Sequence, residues 1–126
     1  MSTEDLGEAL FAEADAEMRL DGASFEEVAA KLRKSAELGS TYAAYALGTW
    51  YLHGKGVSVD YREAVGFLQI AAGVHHHDAL YELGACYFNG EGVEKNHDKA
   101  FDLYLKAALH GHEGGRFQSG ASILFR

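Results

Sequence analysis

Seven histidines and one cysteine are the side chains with the widest chemical range in this 126-residue chain. Three of the histidines stand together with a carboxylate as His75-His76-His77-Asp78, and His110 and His112 follow further on. Imidazoles backed by a carboxylate can hold zinc, nickel or copper, which makes His75, His77, His110 and His112 the candidate metal ligands. Their spacing matches no known metal motif, and loop histidines are more often simply solvated, so no metal or other cofactor is expected. Cys86 and His53 offer a nucleophile and a base, but no third group orients the histidine and no set of oxyanion donors accompanies them. The turns Gly54-Lys55-Gly56 and Gly90-Glu91-Gly92 have the glycine content of a phosphate cradle. They follow helical rather than strand-like segments, which points to a structural role.

The elements that would position these groups must come from one domain. The chain has 15 glycines, no proline, 48% hydrophobic and 24% charged residues, which fits a single globular unit with a core of its own. A lone cysteine excludes an internal disulfide and fits a reducing compartment. The first residues carry no basic start followed by an apolar run, and no segment reaches the ~18 consecutive apolar residues of a membrane span. A cytoplasmic protein is therefore expected. The net charge of −8 is lopsided: residues 1–30 hold nine acids against Arg19 alone, and the remainder is balanced. Such a charge argues against binding nucleic acid or an anionic membrane. It leaves open a small acidic inhibitor or immunity protein that neutralises a basic toxin or enzyme, although a solvated helix face that keeps the terminal element soluble is the commoner reason for such acids.

Self-similarity organises the rest. Leu47-Gly48 recurs as Leu83-Gly84, 36 residues later. The same shift carries Ala43 to Ala79, Tyr51 to Tyr87, Gly54-x-Gly56-Val57 to Gly90-x-Gly92-Val93, Ala64 to Ala100 and Ala71-Ala72 to Ala107-Ala108. A fixed period of this size marks a repeat array. Within each unit the spacing predicts a first helix over 43–53, stopped by Gly54, and a second starting at Asp60, where Glu63 completes the spacing of a capping box. Ser24 with Glu27 and Asn96 occupy the same cap position in the neighbouring units. Glycine inside a helix costs roughly 1 kcal/mol against alanine, so Gly48 and Gly84 imply a close approach of the paired helix. Ahead of the array Leu6, Leu10, Ala14 and Met18 recur every fourth residue, with Phe11 beside them, predicting an amphipathic helix that ends near Asp21-Gly22.

The pattern Ala-x3-Leu-Gly-x2-Tyr-x2-Gly-x-Gly-Val-x6-Ala-x6-Ala-Ala, present twice between Ala43 and Ala108, resembles the Sel-one-like repeat, an α/α relative of the tetratricopeptide repeat. His75 departs from it by standing where Gly39 and Gly111 sit; Ser119 and Ile123 replace the leucine and tyrosine of the last unit. The resemblance implies an all-α, right-handed α/α solenoid of antiparallel helix pairs: two full 36-residue repeats with flanking half-units. The single domain 1–126 then divides into an acidic capping helix (1–22), a partial repeat (23–41), repeats at 42–77 and 78–113, and a C-terminal half-repeat or truncation (114–126).

Solenoids of this kind bury their cores between neighbours and expose a face lined by the first helix of each pair. By resemblance to tetratricopeptide-like arrays, the groove-facing residues are Tyr42, Tyr45, Thr49, Leu52 and His53. One unit on they become Asp78, Tyr81, Ala85, Phe88 and Asn89, then Gly114, Phe117, Ala121, Leu124 and Phe125. An aromatic ladder Tyr45-Tyr81-Phe117 and an apolar one Leu52-Phe88-Leu124 result, suited to a peptide or protein partner or serving only to brace the helices. Exposed Leu124 and Phe125 point to self-association through the C-terminal end. The functional expectation is a non-enzymatic protein-interaction adaptor, with the acidic inhibitor and a metal-binding or enzymatic protein built on the histidine turns as alternatives.

Overall fold

Every helix among the described residues starts on a side chain that accepts a hydrogen bond from the helix's own first turn. Ser2, Ser24, Ser40, Asp60, His76 and Asn96 are the caps, each in extended conformation. The computed structural model describes residues 2–111, and within them the caps open α1 (Thr3–Met18), α2 (Phe25–Glu37), α3 (Thr41–His53), α4 (Tyr61–Ala72), α5 (His77–Asn89) and α6 (His97–His110), with no strand. The expectations for Ser119, Ile123 and the half-repeat 114–126 lie outside the described residues. Caps in corresponding units are 36 residues apart (Ser24, Asp60 and Asn96; Ser40 and His76), so the period seen in the sequence is a period of helix starts.

The helices pair in order, α1 with α2, α3 with α4 and α5 with α6, and adjacent pairs stack through α2–α3 and α4–α5. The pairing is antiparallel, because each short turn folds back so that the cap of the second helix bonds the last turn of the first, Asp60 to Tyr51 and Asn96 to Tyr87; at mid-helix Gly48 then meets Ala64 and Leu68, and Gly84 meets Ala100 and Tyr104 in the same way. A Cβ on Gly48 would stand 2.7 Å from Leu68 Cγ, and one on Gly84 2.8 Å from the Tyr104 ring. The close approach inferred from glycine inside a helix is therefore present at both sites. The α3 and α5 ends coincide with Gly54 and Gly90 at φ 74° and 72°, the left-handed cap conformation that glycine adopts without steric cost. The turns after them repeat their hydrogen bonds as well: Asp60 N–H donates to Tyr51 O at 3.0 Å and Asn96 N–H to Tyr87 O at 2.9 Å.

Three local expectations change. The first helix ends at Met18 rather than near Gly22, and Leu6 is exposed. The face of α1 that packs is built instead on Gly7 and Ala14, with Phe11 and Met18 beside them: Gly7 has no side chain to hold off the α2 end, and Ser35 Oγ donates to Gly7 O at 2.5 Å. α1 thus lies against α2 as α3 lies against α4. The capping boxes at Asp60–Glu63 and Ser24–Glu27 form by half: the cap side chains accept from the Glu63 and Glu27 amides. The Glu63 carboxylate turns to Arg33, 3.9 Å away. Among the described residues the reciprocal box is complete at Ser2–Asp5.

Two buried clusters fill the solenoid, one of α1, α2 and α3 with Val28, Leu32, Leu47 and Trp50, the other of α4, α5 and α6 with Leu68, Leu80, Leu83 and Leu103; Leu52 touches both. Glycine chemistry separates two kinds of site in this frame. Gly66, in the middle of α4, has nothing within 4 Å of a Cβ, so Gly66→Ala is expected to stabilise the protein by about 1 kcal/mol. Gly48→Ala forces Leu68 aside and is expected to cost about 2 kcal/mol. Urea denaturation of the two variants, monitored by circular dichroism, checks both signs.

Candidate functional site

The first helices α1, α3 and α5 place a connected run of rings at their junctions. Phe11 of α1 lies 5.9 Å from Tyr42 of α3, Tyr42 meets His76 edge-on at 6.0 Å, and His76 stacks on Tyr45 at 4.6 Å with the planes 23° apart. Tyr42 is 56% exposed, so its ring is available to a partner from solvent. His76 joins α3 to the start of α5, and it sits where the preceding unit has Ser40. Its Nδ1 accepts the Ala79 N–H at 3.3 Å, capping α5 as the Ser40 hydroxyl caps α3. An accepting Nδ1 requires the neutral ring, with the proton on Nε2. Burial lowers the His76 pKa below its ordinary value, helped by His77 and opposed by the Asp78 carboxylate. Tyr45 is pushed up to about 12 by burial and by the Asp78 and Glu82 carboxylates, so it remains a neutral phenol.

The remaining predicted groove residues divide by exposure. His53, Asp78, Phe88 and Asn89 are exposed on the ends of α3 and α5, while Thr49, Leu52 and Ala85 are half-buried. Thr49 Oγ1 donates back to Ala46 O at 2.8 Å, Phe88 stacks on His97 at 4.5 Å, and Asn89 Nδ2 donates to Glu91 Oε1 at 3.4 Å. Tyr81 differs from its expectation: it is buried in the second cluster, only 9% exposed, with its ring 5.4 Å from Tyr104. The cause is a neighbour. α6 carries Tyr104 where α4 carries Leu68, and the larger ring reaches Tyr81. The ladder Tyr45-Tyr81-Phe117 therefore does not present Tyr81 to a partner; Phe117 and Leu124, like Gly114, Ala121 and Phe125, lie outside the described residues.

The alternative chemistries take up their residues differently. His75 and His110 do meet, their rings stacked 4.2 Å apart, but among the described residues no three histidine, cysteine or acidic side chains come close enough to hold a metal; His112 lies outside them. His77 Nε2 lies 3.3 Å from Asp78 Oδ1. Cys86 is 1% exposed, and burial pushes its thiol up to about 12, with Glu91 and Glu82 acting in the same sense. A thiol held in that state is not a thiolate nucleophile. The acids of α1 are in part used internally: Glu13 and Glu17 both bind Lys31 Nζ, and Asp15 pairs with Arg19 at 3.1 Å. That internal pairing reduces the acidic surface offered to a basic partner. No helix among the described residues is long and apolar enough to cross a membrane.

The sequence profile of the Sel1 repeat matches residues 41–73 and 77–112, the two α/α units that contain the Gly48 and Gly84 junctions. The chain belongs to the Sel1 repeat family. Solved Sel1-type structures superpose on it. The protective antigen c5321 of uropathogenic Escherichia coli, which displays an SLR fold, is 28% identical with a TM-score of 0.79, covering 86% of this chain and 24% of that one. A Sel1 repeat protein from Oxalobacter formigenes is 28% identical with a TM-score of 0.77, over 86% of this chain and 46% of its own. Helicobacter pylori cysteine rich protein B is 27% identical with a TM-score of 0.67, over 91% and 95%. The chain thus spans about a quarter of the first of these relatives and just under half of the second. No curated protein matches it. Sel1 repeat proteins are in general protein-interaction scaffolds, and the solenoid of this chain is built as theirs is.

Histidine at the α5 cap gives this Sel1 unit a pH response whose sign is fixed. The folded state holds His76 neutral with a pKa below the unfolded 6.5, so the unfolded chain takes up the proton first. The stability contributed by the cap is fully present above pH 6.5 and is lost as pH falls from there through the lowered folded value. His76→Ser, which restores the hydroxyl used at Ser40, is expected to flatten this loss; thermal melts of both proteins at pH 7.5 and pH 5 measure the difference. Tyr81→Ala is expected to destabilise the fold by about 3 kcal/mol through a core cavity, read from urea denaturation.

Proposed function

We propose that this protein is a non-enzymatic interaction module, an adaptor or scaffold, that takes a peptide or protein segment along the concave face made by α1, α3 and α5. The observation that carries this reading is the ring run from Phe11 of α1 through Tyr42 and Tyr45 of α3 to His76 at the cap of α5, which leaves Tyr42 open to solvent. Rings with a polar tip, held in place by stacking, give a large contact at small entropic cost. Phe88, Asn89 and Asp78 on α5, and His53 on α3, supply exposed apolar, amide and charged groups on the same helices. The partner is thus an extended or helical segment with apolar side chains spaced to meet Tyr42 and Phe88, and with polar groups between them.

Family membership supports the class, and the buried, protonated Cys86 supports binding over catalysis. We place the protein in the cytoplasm on its single buried cysteine. A Tyr42→Ala/Phe88→Ala double variant removes exposed rings without touching the core. It is expected to weaken capture of the partner by more than ~1 kcal/mol, measured at low and high salt with circular dichroism confirming unchanged helicity. Full retention by the variant together with release by salt would instead favour the acidic surface of α1.

A further inference from the structure

α1 rests on α2 and meets α3 only lightly, so the first two helices of the inner face stand apart over the α2 side chains between them. The gap is a cavity of about 210 Å³. Its depth is apolar: Val28 and Leu32 of α2, 1% and 4% exposed, close the bottom, and Phe11 and Met18 of α1 stand across it from Trp50 of α3. Pockets that hold cofactors and other sizeable ligands begin at ~300 Å³. An apolar cavity of ~150 Å³ already takes up benzene, so this one has room for a single ring. Its walls favour a ring over an aliphatic group as well, because ring–ring and sulfur–ring contacts add to the gain from burial.

Two charged side chains line the cavity, and both are exposed: Asp15 on α1 and Lys55 on the turn after α3. The Lys55 ammonium lies 5.4 Å from the centre of the Trp50 ring and 5.8 Å from that of Phe25, which already gives the indole its cation. A second cation pushed past it onto an aliphatic floor would be stripped of water without a partner, so the group that enters is neutral. Charge is recognised at the mouth instead, where a carboxylate on one helix faces an ammonium on the other side. Arg19 pairs with Asp15 at 3.1 Å with both side chains largely exposed, an ion pair that a partner's cation can replace.

We propose that this cavity is the anchor site for one aromatic side chain of a protein partner, carried on a segment that has a basic residue on one side of the ring, against Asp15, and an acidic residue on the other, against Lys55. The anchor rests on the reading of the α1, α3 and α5 face as the partner-binding one, and it adds two things to that reading. The partner sends a ring into the protein rather than only across it, and the order of its charges gives the bound segment a direction.

Trp50 is the single tryptophan of the chain, so its fluorescence reads the cavity directly. The probes are three blocked tripeptides without tryptophan, Lys-Phe-Glu, Glu-Phe-Lys and Lys-Ala-Glu, titrated into the full chain. One of the two phenylalanine peptides is expected to bind at least about tenfold more tightly than Lys-Ala-Glu, as burial of its ring requires. It is expected to bind at least about threefold more tightly than the peptide of opposite order. Ala46→Phe fills the cavity from its half-buried wall and is expected to abolish binding of both; Ala46→Leu serves if circular dichroism shows lost helicity. Asp15→Lys combined with Lys55→Asp is expected to exchange the preferred order. No response, or an equal response to all three peptides, overturns the proposal. So do phenylalanine peptides that bind alike, undiminished binding in the filled chain, and an order preference that the charge exchange does not move. Neither Tyr42 nor Phe88 lines the cavity, so Tyr42→Ala/Phe88→Ala is expected to leave the tripeptide affinities unchanged, and each reading fails on its own measurement.

Discussion

Two helix backbones cannot approach closely over a side chain, and this solenoid depends on the places where that obstacle is missing. Gly48 and Gly84 let α3 and α5 settle on α4 and α6 with Leu68 and Tyr104 filling the space a Cβ would take. Gly56 and Gly92 do the same between units. The first set fixes the pair and the second fixes the stack. Once both are set, the first helices are held side by side, and the residues at their starts meet whether or not they are near in sequence. The contact of Tyr42 and Tyr45 with His76 is a product of that stacking and not of any local motif.

Much of this was legible because the constraint leaves a periodic trace in the chain. The 36-residue shift of Leu-Gly, Gly-x-Gly and the helix caps reads out the helix pairs and their junctions directly. What the period conceals is substitution at the contacts. Tyr45 and Tyr81 share a register position, yet one is half-buried against an imidazole and the other is enclosed, because α6 places a tyrosine where α4 places a leucine. The signal for His76 was present in the same way: it stands 36 residues after the cap Ser40. Its ring, rather than its place beside two other histidines, is what matters. α1 was harder still, since it packs through Gly7 and Ala14 and exposes Leu6, an arrangement that reading large apolar residues at helical spacing does not reveal.

Similarity to Helicobacter pylori cysteine rich protein B, over nearly the whole of both chains, sets the single buried Cys86 in relief. With no second cysteine in the sequence, no covalent staple within the chain can hold these helix pairs. Its cohesion rests on apolar contact and on the repeated turn hydrogen bonds, and in an array whose units touch mainly their neighbours such cohesion is added unit by unit.

Lys31 shows what this means at the N-terminal end. Its ammonium gathers the Glu13 and Glu17 carboxylates and ties α1 down onto α2, on a surface open to water, where counter-ions compete for both signs of charge. The α5–α6 junction, by contrast, closes with the Tyr104 ring on bare Gly84 backbone, a contact that ions do not weaken. The two ends of the described solenoid therefore answer to different solvents. Brine loosens the acidic end while leaving the other shut, so the solenoid has a direction in which it frays.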